Sequence, residues 1–406
     1  MATETTTLEA AATDRPTIRL LPGRHKRARA GHPWVYSNEL AMDNTAKKLR
    51  PGTLVRLAAA TGEPLGVAMF NPHTLIAARL LDRDPATVID VAFLRERLAR
   101  AHRLRERLYP GGFYRLAHAE ADGLPGLVID RYGEALAIQA NTAGMDRLLP
   151  ELLAALDDEI APKTVVLRND SPARALETLA SEVKVAKGAL GGPIEVIENG
   201  CRFVVDLQGG QKTGWFFDQR DNRAAVARLA AGGKVLDLYT YGGGFAVAAA
   251  RAGAKEVTAI DRSAPALALA EESSRRNGVD AVCRFSRAEA FEELERRSAA
   301  GERFDIVIAD PPAFVKSRKD LAAGLRGYRK LVRLAAQVVA PGGFLFIASC
   351  SHNVERAMFD EEVRRGLADA GRPGRILLAS GAAADHPTHP ALPESVYLKA
   401  SLIQLD

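Results

Sequence analysis

Val235-Leu236-Asp237-Leu238-Tyr239-Thr240-Tyr241-Gly242-Gly243-Gly244-Phe245 reads as a hydrophobic strand, a tight glycine-bearing turn and the start of a helix. The next apolar run, Val257-Thr258-Ala259-Ile260-Asp261, ends in a carboxylate. A third strand edge carries Asp310-Pro311-Pro312-Ala313-Phe314, and a fourth ends in Ser349-Cys350-Ser351-His352. In a doubly wound parallel sheet, ligands sit outside the carboxyl ends of the strands. All four segments put polar groups at such ends, so a nucleotide-like cofactor and a thiol are expected to share one crevice.

Outward from this stretch the pattern alternates between strand and helix, the sign of an α/β fold with a parallel sheet. The periodicity predicts strands at 234–238, 256–260, 282–286, 305–309, 343–349, 375–378 and 396–403, with helices at 264–277, 288–297, 321–339 and 355–370. No helix separates the last two strands, which predicts an antiparallel edge pair. Asn199-Gly200 between two apolar runs predicts a hairpin, and Gly191-Gly192-Pro193 breaks the chain before it. A Rossmann-like domain is therefore expected over residues 193–406. Residues 15–86 read as a small β domain, with strands at 54–57, 66–70 and 75–81. Residues 87–192 read as α+β and open on a helix at 91–108. One face of that helix is apolar; the other carries six arginines and reads as solvated. Residues 1–14 read as a disordered tail.

The chain has 406 residues, 47% hydrophobic and 26% charged, with a net charge of +5. These values fit a soluble globular protein with two or three cores. No apolar run approaches the ~18 residues that a membrane span needs. Three scattered cysteines exclude a disulfide framework, and a reducing cytoplasm is the expected setting. His386 and His389 lack a third ligand, so no metal site is expected. Arg19, Arg24, Lys26, Arg27 and Arg29 precede His32-Pro33-Trp34-Val35-Tyr36. Two readings of this basic run stay open, a solvated edge and a phosphate-contacting surface with an aromatic beside it.

The chemistry follows from residue types at strand ends. Gly242, Gly243 and Gly244 allow a cofactor to approach the backbone. Asp261 is placed to accept both hydroxyls of a ribose, and Glu289 to reach an adenine amino group. In Asp310-Pro311-Pro312 the prolines fix the backbone and remove two N–H donors, leaving a rigid rim of acceptors for a planar heterocycle, with Phe314 next to it for stacking. Cys350 ends the neighbouring strand in polar company. Cys201 and Cys283 lack such company and read as structural.

These residues, in this order, resemble a class I S-adenosylmethionine-dependent RNA methyltransferase. More closely, the chain is similar to the bacterial 23S ribosomal RNA cytosine-5 methyltransferase family, with a PUA domain, a central α+β domain and a Rossmann-like catalytic domain. The likeness rests on Gly23-Arg24-His25-Lys26, His32-Pro33-Trp34-Val35, the run from Ala119 to Gly126, Ile129-Asp130-Arg131, the run from Lys212 to Arg220, and Arg326-Gly327-Tyr328. It implies S-adenosylmethionine as cofactor, bordered by Phe217, Gln219, Arg220, Asp237, Tyr239, Gly243, Asp261, Glu289 and Asp310. It implies large-subunit ribosomal RNA as partner, with Pro311, Pro312 and Phe314 against the target base. Cys350 is the implied nucleophile and Asp310 its catalytic neighbour. Two departures stand out. Gly242 replaces a hydroxyl residue common in relatives, and Ala313-Phe314 stand where many RNA cytosine-5 enzymes carry a second cysteine. A guanine-N ribosomal RNA methyltransferase, a small-molecule methyltransferase with a basic N-terminal adaptor and a non-catalytic RNA-binding module are the rival readings, and pairing into a homodimer stays open.

Overall fold

A computed structural model describes residues 15–406. The tail expected over residues 1–14 lies outside them. The chain divides into two compact units. The first comprises the chain up to Gly191 together with Leu207–Gly214 and Pro387–Pro393; the second comprises Gly192–Asp206, Trp215–His386 and Glu394–Asp406.

The first unit holds two five-stranded sheets. One contains β1 (Thr17–Arg19), β2 (Trp34–Tyr36), β3 (Thr53–Ala58), β4 (Pro64–Phe70) and β5 (Ile76–Asp82), in the order β1-β3-β4-β5-β2. Its core gathers Ile18, Val35, Val55, Leu57 and Phe70. The second contains β6 (Phe113–His118), β7 (Leu127–Tyr132), β8 (Ala135–Ala140), β9 (Thr164–Asn169) and β10 (Glu182–Lys187), in the order β10-β9-β8-β7-β6. Helices α1 (Val91–Leu108) and α2 (Leu149–Glu159) cover it, burying Leu94, Leu98, Leu152 and Leu156. The short β1, β2 and β10 escape the sequence pattern, since three residues give no period and β10 is mostly exposed.

The arginine face of α1 is not wholly solvated, contrary to its sequence reading. Arg105 is fully buried. Its guanidinium forks onto Asp122, with N···O distances of 2.6 and 2.7 Å, and Nε donates to the Arg115 carbonyl. Arg97 reaches Asp82 at 2.7 Å. A planar guanidinium enters an apolar layer when a carboxylate meets it bidentately. Composition along a helix cannot reveal such a partner, because Asp122 sits in a separate 3-10 turn.

In the second unit, β11 (Ile194–Glu198) and β12 (Cys201–Val205) form the hairpin expected around Asn199-Gly200. Both turn residues have positive φ, as a two-residue hairpin turn requires. Helix α3 (Arg220–Ala227) leads into a seven-stranded sheet of β13 (Lys234–Leu238), β14 (Glu256–Asp261), β15 (Cys283–Arg287), β16 (Phe304–Ala309), β17 (Val339–Ser349), β18 (Gly374–Ser380) and β19 (Lys399–Leu405). The order is β15-β14-β13-β16-β17-β19-β18. Helices α4 (Gly244–Arg251), α5 (Ala264–Arg276), α6 (Ala290–Ala299), α7 (Leu321–Val338) and α8 (Arg356–Asp369) connect the strands. Strands β13 to β17 run parallel, and β19 is antiparallel to both β17 and β18. Thus the last two strands do pair antiparallel, but only β18 lies at the edge. Burial explains the order: β19 is almost wholly buried and β18 almost wholly open. The strand order reverses between β13 and β16, which makes the crevice above them the switch point.

Removing one partner of a buried ion pair strands the other charge and costs ~3–5 kcal/mol. Asp122→Ala is therefore expected to lower the urea unfolding free energy by an amount in that range. An unchanged unfolding midpoint would show that Arg105 does not depend on this carboxylate.

Candidate active site

The turn after β13 is held from inside by Asp237. Its side chain is buried. Oδ2 accepts from the Thr240 hydroxyl at 2.6 Å and from the Ala246 amide at 3.0 Å, pinning strand to helix. Oδ1 has no partner among the described residues. Burial pushes this carboxyl up to about 7, and the Asp310 charge pushes the same way against the two hydrogen bonds. The backbone then takes left-handed φ at Tyr239, Tyr241 and Gly243. At Gly243 a Cβ would come within 3.0 Å of the Ala270 methyl; at Gly244 it would lie 2.5 Å from Arg223 Nε. Gly242 has ordinary clearance, 3.4 Å from Trp215.

The wall behind the turn is an ion cluster that the sequence reading missed. Glu198, buried at the end of β11, accepts from Arg223 at 2.6 Å and from the Trp215 indole at 3.0 Å. Arg220 Nε lies at 3.5 Å. The Arg223 guanidinium stacks on Trp215 and borders Phe245. Phe217, Gln219 and Arg220 are all buried here, with Gln219 accepting from Asn222 at 2.6 Å and Arg220 over the Phe217 ring. The available signal was alternation: Glu198 shares a strand face with buried Val196, so a carboxylate stood on an apolar face.

Asp261 ends β14 half-buried. One carboxylate oxygen accepts from the Tyr241 amide at 2.9 Å and the other from the Ser263 amide at 2.8 Å. A carboxylate has about four acceptor sites, so each oxygen keeps capacity for a ligand hydroxyl. Glu289 precedes α6 with its side chain exposed, 3.6 Å from Arg262 and making no capping bond to the helix. Burial holds the Tyr239 phenol well above its usual range, and the Glu289 and Asp261 charges add to the effect. The three groups therefore share one neighbourhood.

Asp310, half-buried, follows β16. Pro311 is buried and Pro312 exposed. The Cys350 Sγ lies 3.9 Å from the Pro311 carbonyl oxygen. Its flanking serines are not solvent-facing company but part of a clamp. The fully buried Tyr328 hydroxyl bonds Ser349 Oγ at 2.8 Å and Ser351 Oγ at 2.9 Å, and Ser351 Oγ accepts from the Val315 amide. Phe314 packs on Tyr328, ring centroids 4.7 Å apart, and on Phe291. His352 lies against Tyr397. Cys201 and Cys283 are buried, with burial pushing both thiols up, Cys283 to about 12.

A family model described as S-adenosylmethionine-dependent methyltransferase matches residues 167–370, and one described as PUA-like domain matches residues 18–83. The chain is 35% identical over 395 residues to the Ribosomal RNA large subunit methyltransferase I of Aeromonas salmonicida, covering 95% of this chain and 98% of that one. It belongs to the S-adenosylmethionine-dependent methyltransferases. The methyltransferase is also 36% identical to the protein of the same description from Erwinia tasmaniensis, over 94% of this chain and 98% of that one. A solved Streptococcus mutans structure described as a SAM-dependent methyltransferase matches with a TM-score of 0.80 at 21% identity, covering 96% of this chain and 100% of that one. That likeness shows the fold: a class I methyltransferase domain preceded by a PUA-like domain.

S-adenosylmethionine is the cofactor of the methyltransferase. The residues fit it. A buried Asp237 oxygen lacks a partner among the described residues, and Asp261 keeps acceptor capacity.

The Asp237 carboxyl makes stability depend on pH. Its value in the folded chain is raised from 3.8 to about 7. Between these values the folded state holds a proton that the unfolded chain has released, so stability falls as pH rises through the window. Urea unfolding at pH 5 and pH 8 is expected to show a larger loss for the native protein than for Asp237→Asn. Equal losses would remove Asp237 as the titrating group.

Proposed function

We propose that this methyltransferase transfers a methyl group to C5 of a cytosine in large-subunit ribosomal RNA through a covalent adduct of Cys350. The relatives named above supply the RNA class. The observation that carries the chemistry is the thiol, 3.9 Å from the Pro311 carbonyl of the Asp-Pro-Pro turn. S-adenosylmethionine supplies the methyl group. Asp261 accepts its ribose hydroxyls and Glu289 meets its adenine amino group. Phe217, Gln219, Arg220, Asp237, Tyr239 and Gly243 shape the walls around it.

Cytosine C5 is a weak nucleophile. The Cys350 thiolate adds to C6, forming a C–S bond and leaving C5 enamine-like. C5 then takes the methyl group as its bond to the sulfonium sulfur breaks, the electron pair staying on sulfur to leave a neutral thioether. Loss of the C5 proton restores the ring and expels the thiolate. Asp310 accepts from or donates to the ring edge as charge develops. Pro311, Pro312 and Phe314 line the position of the base. Such chemistry needs an unstacked base, which favours a loop or flexible RNA segment. Residues 15–86 add RNA affinity through the exposed Arg24 and Lys26 and the Trp34 indole. That indole is fixed by a 2.7 Å hydrogen bond to Glu120, which Arg79 also meets.

Fluorine in place of the C5 hydrogen blocks the final elimination. RNA with 5-fluorocytidine at the target is expected to give a complex that survives denaturing gels, requires S-adenosylmethionine and is absent from Cys350→Ala. That variant is expected to bind the cofactor normally and to be inactive. Full activity in Cys350→Ala would overturn the proposal in favour of a guanine-N enzyme, which needs no thiol.

A further inference from the structure

Lys399 is a buried cation that the proposed mechanism leaves unused. It opens β19, only 3% exposed, and pairs in register with Ser349 of β17. Nζ donates to the Ser351 carbonyl at 2.7 Å and to the Tyr397 carbonyl at 2.8 Å. It therefore reaches the residues on both sides of Cys350, one by strand register and the other by hydrogen bond. No carboxylate pairs with it among the described residues.

A buried ammonium without a counter-anion is strongly disfavoured. Two carbonyls solvate it in part but do not neutralise it. The charged groups around it are committed elsewhere. Arg356 bonds the Ala400 and Ser380 carbonyls and Ser401 Oγ, and pairs with Asp360. Asp218 accepts from the Tyr397 hydroxyl at 2.6 Å. The Tyr328 hydroxyl is held between the two serines, and the His352 ring lies against Tyr397. Asp310 ends β16, across the turn that the Cys350 thiol touches. The Cys350 thiol lies between the two residues that Lys399 reaches, Ser349 and Ser351.

We infer that Lys399 is a positioning residue for Cys350, the buried counter-cation that stabilises its thiolate before attack. The inference rests on Cys350 being the nucleophile. Its electrostatics are consistent: burial pulls the Lys399 ammonium down to about 8, a Cys350 thiolate opposes that pull, and Arg356 reinforces it. The ammonium is held below the usual lysine range, and the cation is lost as pH rises through that value. Lys399 touches neither base nor methyl donor in this role; it acts through the sulfur.

The test is the pH profile of Cys350 alkylation by iodoacetamide, read by peptide mass spectrometry, with buried Cys201 and Cys283 as unreactive internal controls. An ordinary thiol titrates near ~8.5. The native protein is expected to react with a midpoint below that. In Lys399→Met the midpoint moves up by about one unit or more, so labelling at pH 7 slows about tenfold, while Lys399→Arg keeps the native profile. Identical profiles in native and Lys399→Met proteins, both folded by circular dichroism, would overturn the inference. If Lys399→Met does not fold, the reciprocal measurement decides. In Cys350→Ser, the Lys399 titration followed by carbon-13 NMR is expected to shift down, and an unshifted lysine overturns the inference. Alkylation needs neither RNA nor methyl transfer, so a moved profile stands even if the target atom is not cytosine C5. Conversely, the 5-fluorocytidine adduct stands even if the profile does not move.

Discussion

The Tyr328 hydroxyl, fully buried between Ser349 and Ser351, fixes where β17 ends and therefore where the Cys350 thiol sits. The placement of the thiol against the proline turn depends on that stop. Tyr328 comes from α7, whose inner face builds the core with Leu331, Val332 and Ala335 against β16 and β17. Phe314, just beyond the Asp-Pro-Pro turn, packs on the same ring. One aromatic side chain thus ties a helix, the proline turn and the cysteine strand together. A loose strand end would let the thiol drift from the turn.

The glycine turn has a different support. Glu198 gathers Trp215, Arg220 and Arg223 from a segment that lies between the hairpin and the sheet in sequence. Buried ion clusters of this kind give little net stability over an apolar equivalent. What they do give is geometry. Arg223 occupies the space that a side chain at Gly244 would need, so cluster and turn constrain one another. Asp237 works from the other side, binding the first turn of α4 through one oxygen.

Much of this fold was legible because strong periodicity leaves few alternatives. The runs at Lys234–Leu238 and Val91–Leu108 have apolar spacings that fit one element only, and both appear as read. The hairpin was legible because Asn-Gly needs two positive φ values that few other turns use. What escaped the reading depends on contacts between distant residues. Arg105 stood on a face read as solvated, but its partner Asp122 lies in a separate turn, and Glu198 meets its arginines from more than twenty residues away. The place of β19 inside the sheet follows from burial on both faces, whereas its sequence neighbour β18 is open. The serines beside Cys350 were read as polar company for a thiol. In the fold they serve Tyr328, and the cation near the sulfur comes from Lys399, about fifty residues further on, with no local motif to announce it.

The atom that receives the methyl group decides between addition through Cys350 and chemistry that needs no thiol. Ribosomal RNA incubated with the protein and isotopically labelled S-adenosylmethionine can be digested to nucleosides and separated by liquid chromatography and mass spectrometry. The account predicts label in 5-methylcytidine alone. Label in a methylated guanosine, or in any other cytidine derivative, would contradict it.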